Sequence, residues 1–274
     1  MRTLAAAPWS AKIGLLIIVL NLLAALLASW LAPYGQGDLG GDVWAPFTTD
    51  HLLGTDQLGR DLLSRLLFGA RLTIGIALAT TLVSFTIGIA LGFTAAVVGG
   101  WLDQLLSRAV DALMAIPTLI FALLVLTVLG TSIPVLILVI AVLDSTRVFR
   151  LARSLAVNIA AQDFVEVARL RGERLPWILV RELLPNALPT LVAEFGLRFC
   201  FVFLFIAALS FLGLGVQPPN ADWGGMVREN AQAINFGLSA PLIPAAAIAA
   251  LTVAVNLVVD WFLAQRHRAA GGGR

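Results

Sequence analysis

Long stretches without a charged residue alternate along this chain with short polar segments. Five uncharged intervals can each hold the roughly 20 apolar residues that cross a membrane as a helix. They are 13–37, 72–102, 112–143, 199–221 and 230–259. Each is predicted to be helical, because hydrocarbon offers no partner for open backbone groups. The pattern therefore predicts an all-α integral membrane protein.

The interval 112–143 is predicted to contain two spans, because residues 130–134 read Gly-Thr-Ser-Ile-Pro, which is typical of a turn. Dividing it gives six spans, near 13–32, 72–98, 104–128, 133–151, 190–214 and 241–264. This division satisfies the rule that Lys and Arg concentrate on the cytoplasmic side. Both termini are then cytoplasmic. The basic residues left outside are Arg60, Arg65, Arg71 and Arg228.

Composition agrees with this class, since 59% of residues are hydrophobic, 12% are charged and the mean hydropathy is +0.94. The apolar run 13–32 is too long for a usual signal-peptide core, so we expect it to remain as a span. We expect residues 1–70 to hold the first span and an extracytoplasmic segment. Residues 71–274 are expected to form a five-helix core with a cytoplasmic loop at 152–189.

Several kinds of chemistry are excluded by what the sequence lacks. The single cysteine, Cys200, cannot form a disulfide within the chain, and the two histidines, His51 and His267, lie outside the spans, so we expect no metal site. The only lysine is Lys12, so a G-x-x-x-x-G-K-[ST] phosphate loop cannot exist. We therefore expect no cofactor and no enzymatic activity. The sequence contains no basic patch interleaved with aromatic residues, so we also expect no nucleic-acid binding. Transport must be passive, driven by an ion gradient, or driven by a separate motor subunit.

The polar segment between the fourth and fifth spans favours a separate motor. Asp163 and Glu166 form a D-x-x-E capping pattern that predicts a helix from Phe164, and Gly172 can end it in the left-handed conformation. A second short helix is predicted from Pro176 to Pro185. The first of these helices, from Phe164 to Gly172, is too short to be stable in water without packing against another surface. Its apolar residues fit a groove in a partner protein, and the alternative interpretations are a helix on the lipid surface or a structural loop. Those apolar residues are Phe164, Val165, Val167, Ala168 and Leu170.

The same segment carries a family resemblance. Glu166, Ala168, Gly172, Leu184 and Pro185 resemble the E-A-A, Gly and I-x-L-P motif of permease subunits of binding-protein-dependent ABC importers. The resemblance implies a coupling helix, including Asp163, that docks on an ATPase subunit. Val167 replaces the second alanine of the motif, and Glu182 replaces its isoleucine.

Other segments resemble one branch of that family, the dipeptide, oligopeptide and nickel permeases. Residues 51–61, HLLGTDQLGRD, are similar to its H-P-L-G-T-D-x-x-G-R-D motif, with Leu52 in place of proline. Residues 210–226 resemble its outer loop, and Asn256 with Asp260 resembles its closing N-x-x-x-D. The outer loop is expected to dock a binding protein through four residues: Gly215, Pro218, Trp223 and Gly224.

The resemblance implies a multi-pass subunit of a bacterial cytoplasmic membrane that forms half of a translocation pore. Its partners would be a similar permease, two ABC ATPase subunits, an extracytoplasmic substrate-binding protein and membrane lipid. The family transports peptides, nickel chelates and opine-like compounds, so the transported molecule stays open.

An ion-coupled secondary carrier is the alternative function. It would require inverted repeats and central ionisable residues, and no such repeat is visible. The ionisable residues near span ends instead suggest local charge pairs on single helix faces. These pairs are Arg108 with Asp111, Asp144 with Arg147, and Glu194 with Arg198. Gly88 and Gly92 permit close helix approach, and Pro117 predicts a kink in the third span.

Overall fold

The computed structural model describes residues 7–271. In chain order the α-helices are α1 Trp9–Leu26, α2 Ala28–Leu31, α3 Leu62–Val98, α4 Gly100–Ala115, α5 Thr118–Leu129, α6 Ile133–Ala160, α7 Asp163–Leu170, α8 Leu175–Trp177, α9 Leu184–Phe211, α10 Trp223–Glu229 and α11 Leu242–Gly271. A π-helix, Ile178–Leu183, lies between α8 and α9, and a 3-10 helix, Ala231–Phe236, follows α10. The predicted all-α fold class is confirmed. The predicted cytoplasmic termini include residues 1–6 and 272–274, which lie outside the described residues.

Each of the six predicted spans coincides with helical structure. Within residues 7–271, four helices are long and apolar enough to cross a membrane: Trp9–Leu26, Leu62–Val98, Leu175–Phe211 and Leu242–Gln265. The pair α4 and α5 makes a fifth if it is counted as one broken span. Helix α6 has 28 residues but carries Asp144, Arg147 and Arg150, which makes it more polar than the others. The count of six therefore stays a prediction.

The bend in the predicted third span is far sharper than a kink, because α4 and α5 meet at 89°. Ile116 ends α4 with an extended backbone, φ −86° and ψ 131°. The residue before a proline is disfavoured in the helical conformation, and Pro117 follows Ile116 directly. The chain therefore breaks at this proline and restarts as α5.

The chain divides into two compact units that alternate along the sequence. One unit runs to Leu78 and includes Leu129–Leu136 and the residues from Phe199 onward, and the other contains Ala79–Val128 and Ile137–Arg198. In the first unit α1 packs along α11, and α10 also packs on α11. The predicted domain boundary at residue 70 stays a prediction.

The second unit has a core in which α3, α6 and the start of α9 meet. Its buried members include Phe85, Val148, Ala152 and Leu191. The glycine pair of α3 lies within this packing, because a Cβ at Gly88 would come 2.6 Å from the Cβ of Val148. A Cβ at Gly92 would likewise meet the Phe149 carbonyl oxygen at 2.8 Å. The G-x-x-x-G spacing thus brings two helices of this chain together.

Candidate functional site

The predicted short helix exists as α7, but it begins one residue earlier than expected. Gln162 is its N-cap, with φ −84° and ψ 146°, and makes no side-chain capping hydrogen bond. The expectation that Asp163 caps the helix is therefore wrong, because Gln162 already takes the extended backbone of the cap position. Asp163 and Glu166 lie in the first turn, where negative charge stabilises the positive end of the helix dipole.

The end of α7 has the geometry predicted from Gly172, whose φ is +80°. The Gly172 N–H donates to the Arg169 carbonyl at 2.9 Å, and the Glu173 N–H donates to the Ala168 carbonyl at 3.2 Å. These two bonds form a Schellman motif. No described atom outside its chain neighbours lies within 4 Å of the position of a Cβ at Gly172. The left-handed backbone, and not lack of space, is therefore what requires glycine here.

One face of α7 is buried in the second unit, and the other is exposed. Val165 and Ala168 are fully buried, and Val165 joins the core beside Leu183. Both residues therefore support the helix from inside this chain, which corrects the expectation that they face a partner. The exposed apolar residues are Phe164, Val167 and Leu170, the last of them 81% exposed.

A hollow of about 360 Å³ adjoins this exposed face, lined in part by Gln162, Glu166, Arg169 and Leu170. Its lining thus combines an acidic side chain, Glu166, a basic one, Arg169, and an apolar one, Leu170. A partner helix or loop with the complementary pattern could bind here. The exposed face of α7 and this hollow are called the α7 surface below.

The predicted end of the second helix at Pro185 is wrong. Residues 175–211 are continuously helical through α8, the π-helix and α9, and Pro185 is the second residue of α9. The Leu184 N–H bonds to the Leu179 carbonyl, five residues back. This wider turn shifts the hydrogen-bond register directly before Pro185, the residue that has no N–H to donate. A helical rod therefore connects the polar segment to a membrane span.

Two contacts link this rod to the end of α7. Arg171 Nη2 lies 3.9 Å from Glu182 Oε1, and the Arg171 guanidinium lies 5.7 Å from the centre of the Trp177 ring. Arg171 directly precedes the Gly172 turn. Arg171 therefore contacts the rod on the far side of the Gly172 turn.

The charged residues of the second unit pair mostly between helices. Glu194 and Arg198 contact each other at 2.7 Å within α9. Asp111 contacts Arg150 at 2.6 Å, which replaces the expected pair with Arg108. Arg153 donates two hydrogen bonds to Asp103, which connects α6 to α4.

The positive charge of Arg147 acts on Asp144, as expected, and Asp144 also has partners on other helices. It accepts a hydrogen bond from Ser84 at 2.8 Å and lies 3.7 Å from Arg198 Nη1. The spacing of residues along the sequence identified only those charge pairs that lie three or four residues apart on one helix. Charge pairs between different helices depend on tertiary packing, so the spacing did not predict them.

In the first unit, buried ion pairs connect the segment 51–61 to the segment 222–237. Arg60 bridges Asp56 and Glu229, both at 2.7 Å, and Arg65 also contacts Glu229 at 2.9 Å. His51 Nδ1 lies 3.1 Å from Asp61 Oδ1. Arg60 therefore joins the G-T-D-x-x-G-R-D segment to the C-terminal end of α10. Sequence reasoning missed this role, because Glu229 is far away along the chain.

The outer loop contains three residues that were expected to form a docking surface and are instead buried: Gly215, Trp223 and Gly224. Trp223 donates from Nε1 to the Leu66 carbonyl at 2.9 Å, and its ring packs edge-on against Phe203. Among the four expected residues, Pro218 is exposed. The loop thus carries an internal anchor, and docking through its exposed part stays a prediction.

Asp222 is the N-cap of α10 and accepts hydrogen bonds from the Gly224 and Gly225 N–H groups at 3.1 and 3.0 Å. Burial nevertheless raises the pKa of its carboxyl to about 6, because an ion loses hydration inside the protein. The two backbone donors oppose this effect. Asp222 is therefore a candidate pH-dependent group of the outer loop.

The helical fold and the motif-bearing segments define a class of membrane transport subunit. Residues 88–269 match the family of the binding-protein-dependent transport system inner membrane component, and the chain belongs to this family. Its resemblance to ABC importer permeases, predicted above, is confirmed. The protein is a permease subunit of the inner membrane that functions with an ATPase and a substrate-binding protein.

Curated relatives cover nearly the whole chain. The nickel transport system permease protein NikC of Escherichia coli (strain K12) is 35% identical over 92% of this chain and 91% of its own length. The dipeptide transport system permease protein DppC of Alkalihalophilus pseudofirmus is 31% identical over 91% and 83%. The glutathione transport system permease protein GsiD of Escherichia coli O6:K15:H31 is 34% identical over 89% and 82%. A crystal structure of an amino acid ABC transporter with histidines matches with a TM-score of 0.49, at 19% identity over 72% of this chain and 92% of that chain.

Proposed function

We propose that the α7 surface is where an ATPase subunit drives this permease. The observation that carries the proposal is the division of α7 into two faces. Val165 and Ala168 fix the helix to the core, while Phe164, Val167 and Leu170 remain exposed. Because one face of α7 is packed in the core and the other is apolar and exposed, an ATPase subunit bound to the exposed face can move the helix without separating it from this permease.

The motion then has a continuous route into the membrane. The Schellman turn at Gly172 fixes the direction of the chain leaving α7, and Arg171 contacts Glu182 beyond the turn. The π-helix and α9 continue from there as one rod. Because a packed core has few voids, a shift of α7 is transmitted as a movement of this rod instead of being absorbed locally.

ATP hydrolysis is assigned to partner subunits, since the sequence holds a single lysine and no phosphate loop. The complete importer would contain two ATPases, this chain, and a similar but distinct permease as the other half of the pore. The exposed arginines at 169, 171, 174 and 181 support a cytoplasmic position for the α7 surface. With six spans, that position places both termini in the cytoplasm.

The transported solutes are proposed to be peptides or related small molecules, chosen mainly by the binding protein. The relatives above are named for nickel, dipeptides and glutathione, so one scaffold serves chemically different cargo. Nickel would have to cross as a chelate, because the spans lack the imidazole ligands that hold the ion.

A negative charge introduced on the α7 surface tests the proposed coupling. Leu170→Asp places a carboxylate at the most exposed apolar position of α7, and Leu39→Asp is a matched control, since Leu39 is 71% exposed in another segment. In proteoliposomes containing the complete importer, we expect Leu170→Asp to abolish most binding-protein-stimulated ATP hydrolysis and uptake. The control should retain both. Normal stimulation and uptake by Leu170→Asp would refute the assignment.

A further inference from the structure

An apolar groove lies on the second unit between α3 and the helical rod that begins at α8. Its volume is about 400 Å³. Its lining includes Leu82, Phe85 and Ile89 of α3 and Leu179, Val180 and Phe195 of the rod. Leu82 and Val180 are 51% and 57% exposed, so the groove is open to the surroundings of the chain.

The groove offers almost no hydrogen-bonding partner. The one hydroxyl in its lining belongs to Thr86, and this hydroxyl donates to the Leu82 carbonyl of its own helix at 2.8 Å. Burying a polar group against such a surface would cost free energy without a compensating bond. The part of any ligand that fills the groove must therefore be hydrocarbon.

We infer that one end of the groove lies at the membrane interface, because the helical stretch Leu175–Phe211 is apolar enough to cross a membrane and Trp177 lies near its start. Tryptophan is enriched at the level of the lipid headgroups, and Trp177 precedes the lining residues Leu179, Val180 and Leu184. At about 1.5 Å per residue, Leu184 lies roughly 10 Å further along the helix axis. On this placement the fifth span begins near residue 175 and not near the predicted residue 190, and the groove extends from headgroup level into the depth of the acyl chains.

The chain that leads to this end of the groove is rich in arginine. Residues 169–182 contain four arginines and two glutamates, and Arg174 and Arg181 are exposed. Arg181 follows the lining residue Val180 directly. Basic residues beside an apolar groove at the cytoplasmic interface are complementary to the phosphate of an anionic lipid.

We propose that this groove binds an acyl chain of an anionic phospholipid whose phosphate lies against Arg181 and Arg174. The ligand is an amphiphile, because the groove requires hydrocarbon and its rim requires negative charge. The proposal goes beyond the transport function and depends only on the membrane location of the chain. A lipid held here would contact the same rod that connects α7 to the membrane.

Native mass spectrometry of the intact importer tests this directly. The complex is extracted from nanodiscs made of phosphatidylcholine and phosphatidylglycerol in a 7:3 ratio, and retained lipids are counted by class. We expect retained phosphatidylglycerol to exceed its share of the bilayer. Arg181→Gln should lower its affinity about fivefold, the effect of one basic residue near a membrane surface. Ala90→Trp, which fills the groove from an exposed position of α3, should remove this lipid altogether.

Matched controls separate the groove from general effects. Arg71→Gln removes another exposed arginine, and Val128→Trp adds the same bulk at a position that is 75% exposed and outside the groove lining. Both should retain phosphatidylglycerol as the wild type does. Retention without preference for the anionic lipid, or unchanged retention in Ala90→Trp, would overturn the proposal. So would a disulfide joining cysteines placed at Val180 and in the partner permease, since a protein would then cover the groove.

Discussion

Replacing Gly172 perturbs the turn at the end of α7 without creating a clash. Its φ of +80° lies in the left-handed region, and no described atom beyond its neighbours lies within 4 Å of the added Cβ. The left-handed conformation costs a residue with a Cβ about 1–2 kcal/mol of free energy, and it costs asparagine less. If valine forces the turn to open, this strain is relieved but the two Schellman hydrogen bonds are lost, at about 1 kcal/mol each.

The expected order of function is therefore Gly172, then Gly172→Asn, then Gly172→Ala, then Gly172→Val. For valine a backbone cost of about 1–2 kcal/mol corresponds to a shift of about five- to thirtyfold from the ordered to the opened turn. An eight-residue helix has little stability of its own, so Val165 and Ala168 must bear this cost. We expect valine to uncouple or disassemble the importer while membrane insertion survives.

The assay is binding-protein-stimulated ATP hydrolysis and solute uptake in proteoliposomes. Complex assembly is followed in parallel by size-exclusion chromatography, and membrane insertion by fractionation. Wild-type uptake and wild-type ATPase stimulation in Gly172→Val would refute the reasoning. An uptake order that ignores the left-handed preference, with alanine better than asparagine, would also refute it.

Three further substitutions test the rest of the structure through thermal unfolding and expression. The raised pKa of Asp222, about 6 against an ordinary 3.8, contributes stability below about pH 4 that is lost as the pH rises through 6. The melting temperature of Asp222→Asn relative to the wild type should therefore rise between pH 4 and pH 7, and a pH-independent difference would contradict this. Glu229→Gln leaves Asp56 as the remaining counter-charge of the buried Arg60 and Arg65, so we expect about 1.5–3 kcal/mol of destabilisation, and an unchanged melting temperature would contradict the role of Glu229. Gly92→Leu should prevent packing of α3 on α6 and abolish folded protein, whereas normal expression would contradict that contact.

Features set by neighbouring residues were predictable from the sequence. The membrane-length apolar runs predicted the helices, and Gly172 predicted a left-handed helix end because only glycine adopts that backbone freely. The location of the short helix was correct to one residue, and its start differed because Gln162 took the cap position. Pro185 was misinterpreted, since a preceding π turn can carry a helix across a proline.

Features set by tertiary packing were not predictable from spacing. Glu229 contacts Arg60 across 169 residues of sequence, and Asp111 pairs with Arg150 on another helix. The burial of Trp223 likewise depends on Leu66 and Phe203, which no local pattern indicates. Long-range partners of this kind require either coordinates or a comparison of many related sequences.

The predicted topology has its own test in a Cys200→Ser background. A membrane-impermeant reagent should label a cysteine placed at Asn220 from outside and should not label one placed at Gln162. The reverse pattern would overturn the orientation and, with it, the cytoplasmic position of the α7 surface.

Uptake by the reconstituted importer tests the central claim most directly. The permease pair and its ATPases are placed in liposomes, and entry of labelled peptides is measured with and without ATP and with and without the binding protein. We expect saturable uptake only when both ATP and the binding protein are present. Strong, selective and saturable uptake without the binding protein, or uptake driven by an ion gradient in the absence of ATP, would contradict it.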